Sequence, residues 1–160
     1  MKKYNISPEE VSCFLAGGIT DCPNWQKEVI EELSKYEDTD TLVVFNPRRE
    51  NFPIHDPNAS AEQIAWEFEY LNKSDIFSMY FDGGESLQPI CLYELGRHLT
   101  RNSVKVISVQ DGYKRANDVI IQTKLATGID VFQHSNPKEH AKEIYKAYKA
   151  LADKKKKQAE

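Results

Sequence analysis

The sequence predicts an α/β protein in which a parallel sheet lies between two layers of helices, and three observations carry that prediction. Five short apolar runs alternate with five longer amphipathic stretches across the 160 residues. Turn and cap signals separate them, with no internal repeat and no low-complexity linker between units. The chain is 40% hydrophobic and 29% charged, which suits one domain with a core of its own. Five βα units in succession imply parallel strands covered on both faces. Right-handed crossovers then leave a flavodoxin-like (Rossmann-like) three-layer sandwich as the simplest topology, with a five-stranded sheet in the order 2-1-3-4-5.

Taken in order, the strand candidates are Cys13–Ala16, Leu42–Phe45, Ile76–Phe81, Val104–Val109 and Ile129–Phe132. The helices are expected around Trp25–Tyr36, Ala61–Lys73, Pro89–Arg101, Arg115–Thr127 and Pro137–Lys154. Ser60 with Gln63 reads as a capping box, Asn136-Pro137 as a cap before a first-turn proline, and Gly128 as a helix stop. The expected domain is the whole of 1–160, with a core over about 12–150 and a flexible, solvated lysine-rich tail over 153–160. Trp25, Trp66 and Tyr70 fall at helical spacing and read as core or oligomer packing rather than as base-stacking groups.

Composition excludes several function classes. Lys plus Arg is 21 against 25 Asp plus Glu, a net charge of -4 with pI near 5.6, which disfavours a broad grip on nucleic acid. No apolar run approaches the roughly 18 residues of a membrane span. Met1-Lys2-Lys3-Tyr4-Asn5 leads into Ser7-Pro8-Glu9-Glu10 rather than an apolar signal region, so the expectation is a cytoplasmic protein. Cys13, Cys22 and Cys91 have neither the number nor the spacing of a disulfide framework or zinc site, and no metal is expected. His55, His98, His134 and His140 are scattered and read as solvated.

Ligands of open α/β sheets bind beyond the carboxyl ends of the strands, near the switch in strand order. The loops there are Ala16-Gly17-Gly18-Ile19-Thr20-Asp21 and Asp82-Gly83-Gly84-Glu85-Ser86-Leu87-Gln88. Their glycines allow close backbone approach to a ligand, or serve plain tight turns; neither loop spells a dinucleotide or P-loop fingerprint. Helices following strands begin at the same edge. Glu94, about one and a half turns into its helix, and Glu67, about two turns into its own, can therefore reach one pocket. Glu94 stands in the largely apolar Ile90-Cys91-Leu92-Tyr93-Glu94-Leu95-Gly96, where a carboxylate must be hydrogen-bonded, protonated or functional. Pairing with Arg97 or Arg101 on the helix surface is the alternative. Arg48 and Arg49, after the second run, suit a phosphate or carboxylate, or a surface ion pair. Asp75 opens the third strand at the far end of the sheet and reads as a turn or helix-end residue.

The motifs Phe14-Leu15-Ala16-Gly17-Gly18-Ile19, Asn46-Pro47-Arg48-Arg49, Gln63-Ile64-Ala65-Trp66-Glu67, Ser74-Asp75-Ile76 and Tyr93-Glu94-Leu95-Gly96-Arg97 occur in an order that resembles the nucleoside 2-deoxyribosyltransferase superfamily, which includes deoxyribonucleoside-monophosphate N-glycosidases. The resemblance runs from about Ser12 to Asp130. It implies cleavage or transfer at the N-glycosidic bond of a (deoxy)nucleoside or its monophosphate, without metal or organic cofactor. It places the nucleophile on Glu94 and the general acid on Glu67. Substrate contacts fall by implication on Phe14, Gly17, Gly18, Asp21, Asn46, Arg48, Asp82 and Gln88, and Asn117 is the residue that reaches a neighbouring subunit's site in a homo-oligomer. Three positions depart from the family pattern: Phe14 replaces a tyrosine, Glu67 an aspartate, and Gln88 an aspartate or serine that distinguishes a 5′-hydroxyl from a 5′-phosphate.

The chemistry of the residues agrees with that implication. N-glycosidic cleavage develops positive charge at the anomeric carbon, which one carboxylate captures while a protonated partner donates to the leaving base. Two competing readings stand beside it: a nucleotide-binding or sensing module without turnover, and an NAD-type glycohydrolase.

Overall fold

The computed structural model of the chain describes residues 1–160. The elements are β1 (Val11–Gly17), α1 (Trp25–Leu33), β2 (Leu42–Phe45), α2 (Ala59–Lys73), β3 (Ile76–Phe81), α3 (Pro89–His98), β4 (Val104–Val109), α4 (Ala116–Thr127) and α5 (Pro137–Ala159). All strand pairs are parallel, in the order β2-β1-β3-β4. Strand order reverses direction between β1 and β3, and the loops that follow those two strands meet there.

Two cores form because side chains alternate across each strand. Cys13, Leu15, Ile76 and Tyr80 point to the layer of α1 and α5, where they bury Trp25, Val29, Ile144 and Tyr148. Phe14, Phe77, Met79 and Phe81 point to the opposite layer, against Tyr70, Leu71, Cys91, Leu95 and Val119 of α2, α3 and α4. With both faces covered, β3 is buried at every position, as a central parallel strand should be.

The expected fifth strand does not form. Ile129–Phe132 contributes one isolated bridge to Ser108, with Phe132 N–H donating to Ile107 O and Val109 N–H to Phe132 O, both at 2.9 Å. The segment lies where a fifth strand would, but left-handed residues bracket it, Gly128 at φ 75° and His134 at φ 55°. Of its side chains only Val131 is buried, too little apolar area to hold an extended ladder against its entropy cost. The sheet therefore has four strands.

Other local expectations divide. Gly128 ends α4 in the left-handed conformation, and the Asn136 side chain accepts from Glu139 N–H at the start of α5. The Ser60–Gln63 capping box is absent: α2 starts at Ala59, and Gln63 Nε2 donates instead to Pro47 O (2.7 Å) and Glu67 Oε1 (3.2 Å). The lysine-rich end is helical, because α5 continues to Ala159, and most of its lysines are exposed. Lys155 Nζ donates to Glu10 O and pairs with Asp75 at 3.4 Å. Asp75 sits in the bend just after α2, as a helix-end residue should, and is also a tie, its Oδ2 accepting from Ser12 N–H at 2.9 Å. His98 and His140 are buried, not solvated. His140 Nδ1 lies 2.7 Å from Ser108 Oγ, and burial depresses its pKa to about 3.

Candidate functional site

At the carboxyl edge of the sheet a cleft of ≈ 420 Å³ lies between the β1–α1 loop and the start of α3, with α2 along one side. Six of the residues singled out from sequence line it: Gly17, Gly18, Asp21, Glu67, Gln88 and Glu94. The larger concavity, ≈ 510 Å³, lies beside Pro8, Thr41 and the lysines near the end of α5, away from both carboxylates.

The loop after β1 is built for close approach. Gly17 has φ 151°, and a Cβ there would fall 2.3 Å from the Trp25 ring and 2.5 Å from Tyr80 O. A Cβ on Gly18 would overlap Cys22 Sγ and Gln88 Oε1. Trp25 Nε1 donates to Gly18 O at 2.9 Å, and the Arg48 guanidinium donates to Ile19 O (2.6 Å) and Cys22 O (2.8 Å). Arg48 thus braces the loop from behind and does not line the cleft.

The opposite wall begins with a strained residue. Gln88 adopts φ 50°, ψ 55° immediately before Pro89 opens α3, a left-handed conformation that disfavours a side chain with a Cβ. Its amide explains the arrangement: Nε2 donates to Asp82 O (3.0 Å) and Ser86 O (3.3 Å), closing the β3–α3 loop on itself. Since both partners are acceptors, the NH2 end is identified by its bonds. That leaves Oε1 buried without a partner.

Glu94 follows on α3, with Ile90 and Cys91 one turn earlier on the same helix face and also in the cleft wall. Glu67 reaches the cleft from α2. Burial raises the Glu94 carboxyl to about 7, the Glu67 charge adds to the rise, and Arg97 opposes it. Burial also raises Glu67, opposed by the hydrogen bond from Gln63. Both carboxyls are therefore harder to ionise than free ones, Glu94 in part because Glu67 stands near it. Arg97 does not form a carboxylate clamp on Glu94; its guanidinium lies over the Phe68 ring at 4.4 Å and meets His98 Nε2 at 3.0 Å.

Five expected contacts fall outside the cleft. Phe14 is buried in the α2-side core, its ring 5.8 Å from that of Trp66. Asn46 Oδ1 accepts from Arg48 N–H within its own turn. Asp82 is buried and accepts from Gly84 N–H at 2.9 Å. Asn117 is exposed on α4. Conversely, Ile19, Thr20, Ser86, Pro89, Ile90 and Cys91 line the cleft without having been singled out for it. Their signal was positional: each adjoins a glycine loop or precedes Glu94 by three to five residues.

Comparison with known proteins supplies the family. A search of curated proteins found no match to the chain. The family model described as "Nucleoside 2-deoxyribosyltransferase like" matches residues 10–113, which take in both glycine loops, Glu67 and Glu94 and stop short of α4 and α5. With the match covering well over half of the chain and containing both carboxylates of the cleft, the chain belongs to the nucleoside 2-deoxyribosyltransferase-like family.

Proposed function

We propose that the protein cleaves or transfers at the N-glycosidic bond of a nucleoside, with Glu94 as nucleophile and Glu67 as general acid. The observation that carries this reading is the pair of raised carboxyls on facing helices of one cleft. In the first step a Glu94 oxygen bonds to the anomeric carbon as the carbon–nitrogen bond breaks, and the departing base takes its proton from Glu67. In the second, water or another base attacks the anomeric carbon and gives its proton to Glu67, and the Glu94 carboxylate leaves. Burial that disfavours charge on both carboxyls suits these roles. Positive charge developing beside Glu94 favours the anion there and leaves the proton on Glu67.

Gln88 supports the choice of substrate class. An unpartnered acceptor in the wall matches a hydroxyl donor, whereas a phosphate dianion offers only acceptors. The substrate is therefore a nucleoside with a free 5′-hydroxyl in preference to its monophosphate. The proposal includes a cytoplasmic homo-oligomer with shared sites; Asn117 is exposed and stands outside its own cleft.

The test is incubation with purine and pyrimidine nucleosides, their 2′-deoxy forms and their 5′-monophosphates, with released base followed by chromatography. A second free base added to the reaction separates transfer from hydrolysis. Release from 5′-hydroxyl substrates is the expected result. Release confined to monophosphates would overturn the Gln88 reading and keep the glycosidic chemistry; no release from any substrate would sink both. A second reading, nucleotide binding without turnover, is favoured by Phe14 lying in the core and by Gln88 being committed to its loop. It predicts a thermal shift with nucleotides and no released base.

A further inference from the structure

The charged groups that line the cleft are all of one sign. They are three carboxyl side chains, Asp21, Glu67 and Glu94, with no lysine, arginine or histidine among the lining residues. None of the three forms an ion pair with a cation of the chain. The Arg48 and Arg97 guanidinium groups are engaged elsewhere, with the carbonyls of the β1–α1 loop and over the Phe68 ring. Asp21 stands exposed with φ 58°, a left-handed conformation that few residues other than Gly, Asn and Asp adopt.

Gln88 adds an independent observation. The residue is only 4% exposed, and its side-chain oxygen has no partner. That oxygen faces the Gly18 wall, where a Cβ would fall 2.7 Å from it. With its NH2 group committed to its own loop, the side chain adds one more acceptor to a lining already rich in them. Like charges gathered in a partly buried site raise one another's energy, and a ligand of opposite charge offsets that cost. The side chains do not converge as metal ligands do, since no three His, Cys, Asp or Glu of the chain are placed to hold an ion. The arrangement therefore fits an organic cation.

We propose that the cleft selects nucleosides whose base already carries a positive charge, such as a pyridinium or an N7-alkylated purine. The inference rests on the N-glycosidic reading, in which Glu94 and Glu67 flank the bond to be broken, so the complementary charge belongs at the base nitrogen of that bond. As a Glu94 oxygen bonds to the anomeric carbon, the carbon–nitrogen electron pair returns to the ring and cancels its charge. The base leaves neutral and needs no proton, so this step runs with Glu67 ionised. Water then attacks the anomeric carbon and passes one proton to Glu67, and the Glu94 carboxylate leaves. The same lining repels a phosphate, which sets nucleosides apart from nucleotides by charge as well as by hydrogen bonding.

The experiment has a binding arm and a turnover arm. Titration calorimetry compares 1-methylnicotinamide, a cation, with 3-methylbenzamide, its neutral isostere. The cation is expected to bind at least tenfold more tightly, with an advantage that shrinks in high salt. In the turnover arm, kcat/KM for nicotinamide riboside is expected to exceed that for uridine and inosine by tenfold or more. Asp21→Asn keeps a residue that tolerates the left-handed backbone and is expected to narrow that ratio at least threefold; a ratio due only to the lability of the pyridinium bond would not move. Equal binding of the two isosteres overturns the proposal, as does an unmoved ratio. Should uridine or inosine be cleaved with no advantage to the cation, the charge selection alone falls and the glycosidic chemistry stands. Should the cation bind preferentially while no nucleoside of either charge is cleaved, the functional reading falls instead.

Discussion

On the α1/α5 side of the sheet, Trp25, Tyr80, Ile144 and Tyr148 are wholly enclosed, and the outer face of the long α5 is studded with lysines. Polar groups caught inside, such as His140, are held neutral by burial. On the α2/α3/α4 side the sheet is buried as fully, but the helices that cover it are less self-contained. There two carboxyls sit in a cleft, a glutamine is strained, a helix glycine faces empty space, and large apolar side chains reach solvent. One layer is optimised for burial, while the other carries groups whose cost its own packing does not offset. Such unrepaid cost is expected where chemistry or a partner recovers it.

That contrast can be broken from either side. The largest effect is expected from Glu94→Ala, which should reduce base release by about a thousandfold or more while leaving the fold intact. Comparing single-turnover rates with circular dichroism checks both halves of that statement. In the closed layer, Trp25→Ala should cost about 3–5 kcal/mol in denaturant unfolding, because it empties a site packed against Tyr80 and the Gly17–Gly18 turn.

Glu94→Gln sharpens the contrast through pH. In the folded chain the Glu94 carboxyl is raised to about 7 from its ordinary 4.5, so the native state binds more protons than the unfolded state between those values. Stability from the protonated form is complete below about 4.5 and is lost as pH rises through about 7. Glu94→Gln removes the charged form, so it should stabilise the protein by on the order of 2 kcal/mol at pH 8 and change little at pH 4. Chemical denaturation at the two pH values reads the difference; equal effects at both would refute it. The smallest effect belongs to Asn136→Ala, which deletes the cap of α5 and should cost about 1 kcal/mol at either pH.

Legibility from the sequence followed the range of the interactions involved. The spans of β2, β3 and β4 coincide with their apolar runs, and the starts of α3 and α5 with Pro89 and Asn136-Pro137, because a run or a cap is decided within a few residues. Glu67 and Glu94 were legible as partners because βα topology alone brings the first turns of neighbouring helices to one edge. Failures came where a distant group competed. Gln63 had a local role available and was taken by Pro47 O across the loop. Arg48 read as free for an anion and is held by two carbonyls of the β1–α1 loop. Ile129–Phe132 had strand composition and lost its ladder to the left-handed residues at its ends.

By itself, then, the sequence determined the parallel α/β class and the edge at which Glu67 and Glu94 come to line one cleft. Those follow from periodicity, crossover handedness and helix direction, which act locally or by topology. Only the tertiary structure decided that the sheet stops at four strands, that Gln88 closes its own loop and keeps an acceptor over, and that large apolar side chains reach solvent on one helical layer far more than on the other. Each of those depends on which surfaces meet across the chain, and on whether a buried polar group or a bare glycine finds a partner once they do.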